Sequence, residues 1–149
     1  MKSRIRFLAI FFGLAVVACS GRSENSSGPS AAGAATGTPK VEIAFLNHSP
    51  VLTALTDVDT LLASYGDKVT VTRYDLETDK GAQFATSRRL TGHVPIAIFI
   101  NGSMEIKLKD RSVKFFSFPQ GKGTFMVASG SWTVEDLRQA IDQALTRAK

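Results

Sequence analysis

Cysteine is the scarcest chemistry in this chain of 149 residues: Cys19 is the only one, and it lies upstream of every stretch with the pattern of a folded core. One thiol excludes an internal disulfide. It also excludes dithiol exchange within the chain, which needs an attacking thiolate and a second, resolving sulfur. Histidine is nearly as sparse, with His48 and His93 alone. Two imidazoles can touch copper or zinc, but a structural site normally has four ligands. Neither histidine has a serine or cysteine nucleophile at motif spacing, so nothing points to a hydrolase. A large basic face is missing too. The formal charge of +5 falls to +2 when Met1–Ala18, which holds three basic residues and no acidic one, is set aside. That remainder is too small for a nucleic-acid footprint, and nucleic acid is excluded as a partner.

What is present begins with Lys2, Arg4 and Arg6, an apolar run over Phe7–Val17, and the small residues Ala18-Cys19-Ser20-Gly21. This is the layout of a secretory signal, and the run is short of the ~20 residues a permanent span needs. Val16-Val17-Ala18-Cys19 resembles the lipobox of bacterial lipoproteins. The resemblance implies cleavage before Cys19, acylation of its sulfur, and attachment to the membrane through an N-terminal lipid anchor. Ser20 after the cysteine implies the outer membrane, facing the periplasm. Residues 1–18 are then the signal peptide and residues 19–39 the lipidated cysteine and its tether. The tether, rich in Gly, Ser and Ala, has no large apolar residue to offset ordering entropy. A coil of that length reaches roughly 25 Å.

The folded domain is expected over residues 40–149. Val41–Leu46 reads as a covered strand, and Ser49-Pro50 as a helix start with serine at the cap and proline in the first turn. Val51, Leu55, Val58, Leu62 and Tyr65 make one apolar helical stripe, closed by Gly66. Val69–Leu76 alternates as a strand. Thr78–Leu90 reads as a helix that Gly81 weakens and Gly92 ends, with Arg88 and Arg89 as solvated surface. Val94–Ile100 is a strand with Pro95 at its start, and Asn101-Gly102 is a hairpin turn. Ser103–Leu108, Val113–Phe118 and Thr124–Ala128 read as short strands. Alternation places Phe116 and Phe118 on one face and Phe115 on the other. Thr133 and Asp136 form a capping box for a last helix whose buried stripe is Val134, Leu137, Ile141 and Leu145. The order argues for an α/β fold with a mixed central sheet.

That order, with the turn after Leu46, the strand end at Tyr74-Asp75-Leu76, Val94-Pro95, and the strand ending in Asn101-Gly102, resembles the thioredoxin-like superfamily. The resemblance implies a three-layer sandwich with an enlarged β-hairpin, residues 103–123, before the C-terminal helix. It also implies a cis bond at Val94–Pro95. The family's Cys-Gly-Pro-Cys falls on His48-Ser49-Pro50-Val51, where the proline is kept and both cysteines are gone. Thr91 departs from the family pattern as well. In the family the residue before the cis-proline offers its backbone to an extended peptide, which is strand addition and needs no sulfur. His48, Ser49, Pro50, Val51, Val94 and Pro95 are therefore the expected partner-binding groove. The expected partner is a periplasmic protein or peptide, with no catalytic residue and no cofactor. The alternatives are copper or zinc handling through His48 and His93, or an oxidoreductase that has lost its cysteines. Lys107, Lys109, Arg111, Lys114 and Lys122 give the insert a basic rim, read equally as a solvated edge or an attractor of acidic lipid or protein.

Overall fold

The computed structural model describes residues 37–123 and 129–148. The expected signal, Cys19, most of the tether and the strand over Thr124–Ala128 lie outside the described residues. The elements run β1 (Lys40–Phe45), α1 (Ser49–Tyr65), a 3₁₀ turn (Gly66–Lys68), β2 (Thr70–Asp75), α2 (Asp79–Ser87), β3 (Ile96–Ile100), β4 (Glu105–Lys107), β5 (Ser112–Lys114) and α3 (Val134–Arg147). The larger sheet has the order β2-β1-β3, with β1 parallel to β2 and antiparallel to β3. The fold is thus α/β with a mixed sheet, as the element order predicts.

Alternation in β1 decides what each face covers. Val41 and Ile43 join Ile96, Ile98 and Ile100 in a core closed by Leu55 and Val58 of α1 and by Leu137 and Ile141 of α3. On the opposite face Ala44, Ala97 and Phe99 meet Phe84 of α2. β3 is buried along its whole length, which is why it reads as an unbroken apolar run. β2 lies at the edge of its sheet with Val71 exposed, so its alternation marks a half-wet strand.

The helix boundaries follow local chemistry, with corrections to the sequence reading. His48, not Ser49, is the N-cap of α1; its extended backbone places its carbonyl to accept from Val51 N (3.0 Å) and Leu52 N (3.1 Å). The cap uses no side-chain bond, and Pro50 sits in the first turn, where its missing N–H costs nothing. Gly66 closes α1 at φ 53°, as expected. Gly81, read as a weakness in α2, is a packing requirement. A Cβ there would lie 1.8 Å from the carbonyl oxygen of Asp75, so only glycine lets α2 turn this tightly onto the end of β2.

α2 ends at Ser87, before Gly92. Arg89 takes up the left-handed conformation at φ 52°, Leu90 N donates to Ala85 O (2.9 Å) and Arg89 N to Thr86 O (3.1 Å), a Schellman closure built on arginine. Arg88 is not mere solvated surface. It pairs with Glu42 of β1, donates to Gly102 O (3.4 Å), and lies over the rings of Phe84 (5.3 Å) and Phe99 (5.1 Å).

The region after β3 departs further. Asn101 (φ 49°) and Gly102 (φ 82°) make the expected tight turn, with Ile100 N donating to Ser103 O (2.8 Å). The chain then leaves β3, and β4 pairs with β5 in a separate two-stranded sheet. The free edge of β3 is taken instead by Phe115–Ser117, through Ile98 N to Phe115 O (3.0 Å) and Ser117 N to Ile96 O (2.8 Å). Ser117 has φ 66°, which shifts the side-chain phase. Phe115 and Phe118 therefore share the main core, while Phe116 packs on the opposite cluster, contrary to strict alternation.

α3 carries the predicted capping box. Asp136 N donates to Thr133 Oγ1 (3.1 Å), and the Asp136 carboxylate accepts from Thr133 N (2.8 Å) and, twice, from Arg111 (2.7 and 2.8 Å). Burial alone would raise the Asp136 pKa; the Thr133 bonds and Arg111 outweigh it and hold the carboxyl below the usual range. At the α1–α3 contact, burial and a bond from Tyr65 Oη to Asp142 (2.8 Å) push the Tyr65 phenol up to about 12.

Candidate functional site

Because β1 and β2 run parallel and β3 antiparallel, the carboxyl ends of the first two and the amino end of the third meet at one edge of the sheet. Phe45 is in register with both Asp75 and Ile96. Two backbone bonds extend the pairing past the strand ends, Leu46 N to Pro95 O (3.1 Å) and Leu76 N to Phe45 O (2.8 Å). The loops that follow are clasped by polar groups. Asn47 Nδ2 donates to Asp75 Oδ2 (2.9 Å), Asn47 N to Glu77 Oε2 (3.2 Å), and Glu77 N to Asp75 Oδ1 (3.0 Å). The strand–turn–helix segment and the segment before β3 are thereby held side by side, at the strand ends where open α/β sheets place their ligands.

A pocket of about 320 Å³ opens here, on the α2 side of the sheet. Leu46, Leu76, Ala82, Ala85, Leu90 and Val94 supply most of its walls, and His93 stands at its exposed rim. Beside it, the backbone N–H and carbonyl of Val94 have no hydrogen-bond partner among the described residues. An apolar hollow next to an unpaired main-chain donor and acceptor suits an extended chain, whose backbone bonds while alternate side chains enter the hollow.

The six sequence-predicted residues divide in two. His48, Ser49 and Pro50 are exposed at the amino end of α1. Val51 is fully buried in the main core, and Val94 and Pro95 are buried. The side chains of these last three hold the loops in place and are not free to read a partner; Val94 as a whole residue is only 5% exposed, so the segment before β3 must shift for its unpaired backbone to meet one. Leu76, Ala82, Ala85 and Leu90 escape the sequence reading of the site, because as ordinary apolar residues they carry no chemical signal and only the packing of α2 brings them there. His48 and His93 are both exposed, and His93 but not His48 lines the pocket. Among the described residues no group of three or more His, Cys, Asp or Glu could hold a metal ion. Compared with known protein families, with curated proteins and with solved structures, the chain matches none.

Proposed function

We propose that this chain is an exported, lipid-anchored domain of thioredoxin-like type that binds an extended segment of another envelope protein and performs no thiol chemistry. The unpaired backbone of Val94 beside the apolar pocket is the observation that carries this reading. Support also comes from the order β-α-β-α-β, from the start of α1 at Ser49-Pro50, and from the position of Pro95 against the end of β1. The anchoring part rests on the lipobox-like Val16-Val17-Ala18-Cys19 and the tether that follows. A groove that recognises main chain keeps its use when the cysteines are replaced by His48 and Val51.

The test is binding of a panel of extended peptides with alternating apolar residues, compared between wild type and Ala85→Lys. Ala85 is half-buried and lines the pocket, so a lysine there blocks it. Affinity should fall at least tenfold, about 1.4 kcal/mol, with the unfolding midpoint little changed. Equal affinities for the two proteins would count against the reading.

A further inference from the structure

The basic residues around the insert are not equivalent once the fold is known. Arg111 is bound to Asp136 and to Ser131 O (3.1 Å), Lys122 to Asp57 (3.1 Å), and Lys114 lies over the ring of Phe116 (5.3 Å). Lys107 and Lys109 have no carboxylate partner among the described residues, and neither has Arg147, forty residues away at the end of α3. These three line one groove of about 450 Å³, together with Leu108, Gln139 and Gln143. Among the described residues no acidic side chain lines it. Of the acids nearest in sequence, Glu105, Asp110 and Asp142 are outside it, Asp142 accepts from Tyr65 Oη (2.8 Å), and Glu135 is engaged by Arg138 (3.1 Å) and Gln139 (3.4 Å).

The groove is braced as well as charged. In the amide orientation that satisfies both neighbours, Gln143 donates to the Lys107 carbonyl (3.1 Å) and accepts from Arg147, so one side chain ties the end of β4 to the last turn of α3. Leu108, nearly buried, gives it an apolar wall. Three uncompensated cations exceed what one carboxylate neutralises, and an arginine among lysines adds planar, multidentate donation suited to phosphate oxygens. The volume falls within the range of small-ligand sites.

We propose that this groove between β4 and the last turns of α3 binds a phosphate group, with Lys107, Lys109 and Arg147 as its ligands and Leu108 against the carbon portion of an ester. The proposal does not depend on the peptide groove, which lies at the carboxyl ends of β1 and β2. The phosphate can be free or carried on a lipid headgroup, and the two sources are separable.

The test follows backbone and side-chain amide resonances of the full chain during titration with glycerol phosphate, with succinate, with an acidic peptide, and with vesicles of phosphatidylglycerol or of phosphatidylcholine. Saturable shifts confined to residues 107–109, Gln143 and Arg147 are expected with glycerol phosphate. They should weaken at least tenfold in Lys109→Gln/Arg147→Gln, whose exposed positions leave the fold intact, and persist in Lys109→Arg. Perturbation of the same resonances by phosphatidylglycerol at a lower phosphate concentration than glycerol phosphate requires, with none from phosphatidylcholine, identifies the lipid as the source. Response to glycerol phosphate without response to vesicles identifies a free phosphate ester. Shifts spread over all lysines, unchanged binding by the double variant, or tighter binding of succinate or the acidic peptide would overturn the proposal.

Discussion

Asp136 does two jobs with one carboxylate, closing the amino end of α3 and receiving Arg111 from the loop between β4 and β5. Its pKa is held below the ordinary range, so it binds a proton less readily folded than unfolded. The stability it contributes is therefore present above the unfolded value of about 3.9 and is lost as pH falls through the lower folded value. Asp136→Asn should cost about 1 to 3 kcal/mol at neutral pH, the range for losing charged hydrogen bonds at a buried group. Its unfolding free energy should converge on wild type as the solution is acidified below about pH 4. Denaturant melts from pH 7 to pH 3 measure this; a difference that stays constant with pH would contradict the assigned charge. The capping box itself was legible from Thr133 and Asp136. Arg111 as its third member was not, because nothing in a sequence links a loop arginine to a cap twenty-five positions later.

Element boundaries show where local pattern meets tertiary constraint. Strands and helices were legible because apolar spacing states what is buried, one stripe for α1 and α3 and both faces for the unbroken run of β3. The misreadings cluster at residues whose conformation is imposed from outside the element. Arg89 and Ser117 both carry positive φ, a state that propensity disfavours for non-glycine residues, and each redirects the segment around it. Gly81 gives the sharpest test. Helix propensity alone predicts that Gly81→Ala stabilises α2 by about 1 kcal/mol. The 1.8 Å approach to Asp75 predicts the opposite sign, a loss of about 3 kcal/mol. Thermal or denaturant unfolding decides between them, and a rise in stability would show that α2 does not sit this closely on β2. Ala82→Gly, one position along on the exposed side, should cost only about 1 kcal/mol.

At the scale of the molecule, the two grooves lie where elements distant in sequence converge. The order of strands and helices indicated which end of the sheet gathers the loops after β1 and β2 and the segment before β3. It could not show that Leu76, Ala82, Ala85 and Leu90 wall a pocket there, or that Lys107, Lys109 and Arg147 share another. The first groove turns on whether the main chain at Val94 is open to a partner. Site-resolved amide hydrogen exchange, in the free protein and with a bound extended peptide, measures this most directly. In the free chain Val94 should exchange faster than the hydrogen-bonded amides of β1 and β3, and it should slow strongly when the peptide binds. Protection of Val94 in the absence of peptide, or protection that instead appears along the exposed edge of β2 at Val71 and Thr72, would contradict it.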